Sequence, residues 1–166
     1  MKCRHTSLLA LMSIAMSGAH ARATDIKDWQ FYGNPRFNFA ACTPPSFRGQ
    51  GEAVNGDGER FRTADGAELA VYGSNVDMGA RLDDLLKDTV VEIAGRGAAI
   101  TYRVQKHNWL VVSGSGPKGE FYMKRYLRQD QMLSFELVYP ARLHARYAPT
   151  IKDLTDCFTI GTEPGD

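Results

Sequence analysis

The chain has 166 residues, and its 20 lysines and arginines nearly balance 19 aspartates and glutamates, for a formal charge of +1. That balance lacks the basic face or stripe of a nucleic-acid binder and gives no general attraction to an anionic membrane surface. The length suits one domain with a true core, burying roughly two-thirds of its unfolded surface.

Residues 1–23 read as a secretory signal peptide. Lys2 and Arg4 precede the apolar run Leu8-Leu9-Ala10-Leu11-Met12-Ser13-Ile14-Ala15-Met16, and two overlapping cleavage options follow, Ala19-His20-Ala21 and Ala21-Arg22-Ala23. The apolar part is too short to span a bilayer stably, and nothing later supplies a membrane span. An apolar first helix of the folded domain is the bland alternative. The expected mature protein, residues 24–166, is a single globular domain, periplasmic or secreted. Loss of Lys2, Arg4 and Arg22 leaves 17 basic against 19 acidic residues, a charge of −2, or −1 if Arg22 is retained. His5, His20 and Cys3 leave too, so Cys42 and Cys157 become an even pair. In an oxidising compartment that pair reads first as a disulfide, with two buried thiols as the alternative.

In the mature chain, Arg36-Phe37-Asn38-Phe39-Ala40-Ala41-Cys42 alternates and stops at Pro44-Pro45, a first strand. Residues 44–60, rich in Gly, Pro and Asn, form the longest irregular stretch. Strands at 59–63 and 68–72 flank Ala64-Asp65-Gly66-Ala67, whose Asp-Gly pair is a hairpin signal. Leu82, Leu85, Leu86, Val90 and Ile93 then recur at three- and four-residue steps, an amphipathic helix that Asp77 would cap and Gly95 would end.

Four strands follow. Ile100, Tyr102 and Val104 alternate with polar residues, and Trp109-Leu110-Val111-Val112 is continuously apolar, as in a strand covered on both faces. Phe121, Met123 and Leu127 alternate with Tyr122, Lys124 and Tyr126, and Leu133, Phe135, Leu137 and Tyr139 with Ser134, Glu136 and Val138. Short links at 106–108, 113–118 and 128–131 predict an antiparallel meander. Pro149 then opens a last helix with Ile151, Leu154 and Phe158 on its apolar face. A Cys42–Cys157 bond would staple this helix to the first strand. The fold class expected is α+β, a mostly antiparallel sheet of about six strands with helices packed on it.

Residues that occur in order along the chain carry a resemblance: Asn34-Pro35-Arg36-Phe37-Asn38-Phe39, Asn55-Gly56-Asp57-Gly58, Phe61, Asp65-Gly66-Ala67, Val71-Tyr72-Gly73, Ile100-Thr101-Tyr102, Asn108-Trp109, Val112-Ser113-Gly114, Phe121-Tyr122 with Lys124, and Tyr139-Pro140. From about Trp29 to Phe158 the chain resembles a family of small exported bacterial proteins without an assigned activity, similar in plan to the PsbP/Mog-like α/β/α sandwich. Such sequences usually read Tyr-Pro after the first strand. This chain has Cys42-Thr43-Pro44, which fits a disulfide peculiar to a subset. The resemblance implies an accessory or binding module rather than an enzyme.

Several stretches invite a chemical reading. Asn55-Gly56-Asp57-Gly58-Glu59 is oxygen-rich, as calcium requires, but lacks the EF-hand pattern and reads as a turn. Ser113-Gly114-Ser115-Gly116-Pro117-Lys118-Gly119 lacks Walker spacing and reads as a hairpin loop. His107 and His144 have no partner at metal-ligand spacing. No catalytic, metal or cofactor constellation emerges. Arg36, Tyr122, Lys124 and Tyr126, with Arg125 and Arg128, form a candidate partner surface, since Tyr and Arg are frequent in interface hot spots. The alternative is sheet residues packed under a helix with charged tips reaching water. The function read from this is an exported, non-catalytic binding or accessory protein of the bacterial envelope. Its partner is another envelope protein or a small ligand in the sheet–helix groove. The rivals are a small envelope hydrolase using carboxylates and an inhibitor or immunity-type protein for an exported enzyme.

Overall fold

The structure is a computed structural model and describes residues 28–161. The expected signal peptide, residues 1–23, lies outside the described residues. Strands β1 (Gln30–Asn34), β2 (Phe39–Thr43), β3 (Arg48–Glu52), β4 (Gly58–Arg62) and β5 (Glu68–Asn75) lead into helix α1 (Leu82–Gly95). Then come β6 (Ala99–Lys106), β7 (Trp109–Gly116), β8 (Gly119–Arg128) and β9 (Gln131–Tyr139). Helices α2 (His144–Tyr147) and α3 (Thr150–Cys157) and the short strand β10 (Thr159–Ile160) complete the described chain.

The strands form two antiparallel sheets, one of three strands in the order β1-β2-β10 and one of seven in the order β3-β4-β5-β9-β8-β7-β6. The predicted α/β/α sandwich on about six strands is therefore overturned. The described residues are mostly β, and only α1 is a long helix. The reason lies in the supply of apolar helical stripes. One long stripe covers one face of the large sheet, and the opposite face is covered by the small sheet and α3.

Period-two alternation along β9 shows both faces at once. Leu133, Phe135, Leu137 and Tyr139 join the core beneath the small sheet, together with Phe39, Phe61 and Phe158. Met132 and Val138 face α1 with Leu85, Ile93, Leu110 and Met123. Phe135 and Phe158, with ring centroids 5.4 Å apart, each contribute ~1.5–3 kcal/mol by leaving water.

Three local departures from the predicted elements have clear causes. The expected first strand at 36–42 begins only at Phe39: residues 35–38 turn the chain from β1 into β2, because the Asn34 side chain accepts the Phe37 N–H at 2.9 Å and Asn38 takes φ 46°. The irregular stretch 44–60 contains β3, whose residues are all exposed, so no apolar alternation marks it. Asp77 does not cap α1: Arg81 occupies the cap with extended backbone and no side-chain bond, and the Asp77 carbonyl accepts Ala80 N–H in a preceding turn. At the other end the helix stops at Gly95, as expected, with Arg96 as its C-cap. Gly97 N–H donates to Ala94 and Ala98 N–H to Ile93, a Schellman turn with Gly97 at φ 70°.

The predicted meander is present as β6 to β9, and the Asp65-Gly66 hairpin joins β4 to β5. Cys157 is bonded to Cys42, tying the end of α3 to β2. Beneath α1 the buried Arg125 guanidinium donates to Thr89 Oγ1 at 2.6 Å, Tyr72 hydroxyl at 3.1 Å and Glu92 at 2.5 Å, which sets where the helix sits. No helix among the described residues is long and apolar enough to cross a membrane.

Candidate functional site

Alternation along β8 sends Phe121, Met123 and Arg125 toward α1, and Tyr122, Lys124 and Tyr126 to the opposite face. Register with β7 and β6 extends that face in three rows: Tyr122–Ser113–Tyr102, Lys124–Val111–Val104 and Tyr126–Trp109–Lys106. The core beneath the small sheet draws on β4, β5, β9 and β8. The face therefore runs outward from under α3 to an open edge, where Tyr102 is 56% exposed.

Lys124 stands at the centre of this face. Its ammonium is 4.8 Å from the centre of the Trp109 ring and 4.8 Å from that of Tyr126. The residue is only 7% exposed. Burial holds its pKa below that of an ordinary lysine, opposed by the charge of Asp156 on α3. Asp156 itself accepts from Lys152, and Lys124 makes no hydrogen bond or salt bridge among the described residues. A largely desolvated ammonium held by two ring faces keeps three donors for an incoming oxygen.

The flanking tyrosines are held by rings as well. Tyr126 stacks on Phe158 at 5.6 Å and 8°, and Tyr122 on Phe135 at 5.9 Å and 26°. Burial pushes the Tyr126 hydroxyl up to about 12, with a further contribution from Tyr122. Burial also raises Tyr122, against a hydrogen bond with Thr155 of α3. Both are neutral donors at physiological pH.

The structure thus brings Tyr122, Lys124 and Tyr126 together and places Arg36 elsewhere. Arg36 lies in the β1–β2 turn, 3.3 Å from Asp57, hydrogen-bonded to the Asn55 carbonyl and over the Phe37 ring. Arg125 belongs to the α1 face, and Arg128 ties the carbonyls of Phe37 and Gly161. Trp109 and Tyr102 also belong to this face, which the sequence reading did not include. Counting back equal steps from the Pro117-Lys118 turn puts Trp109 opposite Tyr126, so the signal was present once that turn is centred correctly.

The remaining stretches have structural roles. In the 55–59 loop the Asn55 and Gly56 carbonyls accept from Arg36 and from Asn34 Nδ2, the latter at 2.9 Å. The predicted loop over 113–118 is mostly strand: β7 runs to Gly116, and a Cβ on Gly114 would strike the Ala99 carbonyl where β6 bulges. His107 takes φ 54° in the β6–β7 turn. His144 Nδ1 lies 2.6 Å from Glu120, which also accepts the Tyr139 hydroxyl at 3.0 Å.

Comparison with known proteins locates the fold. No protein-family model matches the chain, and no curated protein does. Among solved structures the chain is similar to the solution structure of cyanobacterial PsbP (CyanoP) from Synechocystis sp. PCC 6803. The TM-score is 0.63 at 14% identity, covering 86% of this chain and 98% of that one. At that identity the likeness shows the fold, which is PsbP-like.

Proposed function

We propose that this is an exported, non-catalytic accessory protein of the bacterial envelope that docks an acidic segment of a partner protein on its β6–β8 face. The observation that carries the reading is Lys124, an almost buried cation between Trp109 and Tyr126 with no anion bonded to it among the described residues. An ammonium so placed has lost most of its hydration and has no bonded acceptor among the described residues, only the charge of Asp156 nearby, so a carboxylate from outside restores what burial removed. The aromatic rim supplies the water-excluding surround typical of interface hot spots. The Cys42–Cys157 bond suits an oxidising compartment, and the PsbP-like fold and the signal-peptide-like start point the same way.

The test places a photo-cross-linking amino acid at Tyr102 and irradiates cells producing the exported protein. The expected result is one discrete adduct that disappears in Lys124→Met and persists in Arg36→Ala. An adduct unchanged by Lys124→Met, in a protein shown by circular dichroism to be folded, would overturn the reading.

A further inference from the structure

Helix α1 is shorter than the sheet it covers. Its 14 residues span about 21 Å, whereas the ten residues of β8 run about 33 Å. The helix closes its Schellman turn at Gly97 before the sheet ends. Beyond it opens a cleft of about 690 Å³, within the range of small-molecule sites. Its floor is the cross-strand pair Phe121 and Val138, its helix side is Ile93 and Ala98, and the β7–β8 turn walls it off. This cleft lies on the opposite side of the large sheet from Lys124.

The charges around the cleft do not balance. Glu68 accepts from two arginines, Arg60 at 2.5 Å and Arg62 at 2.9 Å. Glu136, nearly buried, holds Arg96 at 2.8 and 3.0 Å. Glu92 is shared between Arg96 and Arg125. Lys118, exposed in the turn, makes no ion pair among the described residues. The cleft's own lining holds three cations, Arg60, Arg96 and Lys118, against two carboxylates, Glu68 and Glu136, a surplus of one beside an apolar floor.

The geometry points to a binding site for a small amphiphilic anion, with its apolar chain on Phe121 and Val138 and its carboxylate head between Arg96 and Lys118. Glu136 fixes the Arg96 guanidinium at the lip in advance, so little ordering is left to the ligand. Both carboxylates of the lining are already held by arginine, and they leave no free anion to draw in a cation.

The test titrates decanoate, below its aggregation concentration, into the disulfide-bonded protein and follows backbone amide shifts by NMR. Decanol and decyltrimethylammonium are the comparators. Saturable shifts at Phe121, Val138 and Lys118 are expected, with decanoate binding about tenfold or more tightly than either comparator. Lys118→Glu should weaken decanoate by about tenfold without touching the core, and Val138→Trp should fill the floor and abolish the shifts. Equal binding of decanoate and decyltrimethylammonium would overturn the proposal. So would shifts that map elsewhere or survive both variants.

Discussion

Cys157, the last residue of α3, is bonded to Cys42 in the central strand of the small sheet, across 115 residues of chain and a Cα separation of 5.7 Å. The bond locks the chain's closing helix to a strand near its start, and α3 carries Leu154 into the core that Phe39 and Phe158 share. In the loop-entropy model a closure of this length contributes up to ~5 kcal/mol. Cys42→Ser with Cys157→Ser should lower unfolding free energy by about 3–5 kcal/mol in urea denaturation, and α3 amides should lose exchange protection first. A loss under about 1 kcal/mol would mean that the packing of α3 alone holds that end of the chain.

Arg125 is the pin beneath α1. Its partners Thr89 and Glu92 lie on the helix and Tyr72 on β5, so deleting the guanidinium strands several polar groups together. Breaking one side of a buried charged network costs about 3–5 kcal/mol, more than the pair contributes over an apolar replacement. Arg125→Ala should therefore destabilise by that amount, and Arg125→Met with Glu92→Gln and Thr89→Val by much less. Equal losses in the two variants, measured by urea denaturation, would show that the volume of the side chain matters rather than its charge.

Asp65 gives the fold a pH dependence. Its carboxylate accepts Thr63 Oγ1 at 2.5 Å, Tyr147 hydroxyl at 2.6 Å and Arg146 at 2.8 Å. Burial raises its pKa, but the bonds from Thr63 and Tyr147 and the Arg146 charge outweigh this and leave it below the ordinary 3.8. A lowered folded value contributes stability that is present above the unfolded pKa and lost as pH falls through the folded one. Asp65→Asn should cost about 1–2 kcal/mol at pH 7, and the gap to wild type should narrow below about pH 4. A gap that is constant from pH 7 to pH 2 would refute this origin.

Lys124 separates stability from binding. Two ring contacts return about 2 kcal/mol to a desolvated ammonium, whereas removing it from water costs several. Lys124→Met keeps the volume and discards the charge, so folding stability should hold or rise slightly while the Tyr102 cross-link is lost. A marked fall in thermal midpoint would show that the ammonium serves the fold itself.

Much of the large sheet can be read directly from residue order. The alternation in β8 and β9, the stripe Leu82–Ile93 and the turn at Asp65-Gly66 each leave a period or a dipeptide that only one local structure satisfies. Three strands escaped for one shared reason. β1 and β3 are largely exposed and β10 has two residues, so their backbone ladders carry no apolar pattern. The β1–β2 turn depends on one side-chain bond, Asn34 to Phe37 N–H, inside a stretch that alternates as well as any strand.

Local order along the chain thus determined the meander and the long helix, because each depends on neighbours a few residues apart. Only tertiary structure decided that a second sheet covers the first, and that Trp109 and Tyr126 close on Lys124 while Arg36 turns away to Asp57. It also decided that α1 stops short of a cleft rich in arginine. Those outcomes follow from strand register and from what each face of the sheet finds to bury itself against, and neither is a property of any one segment.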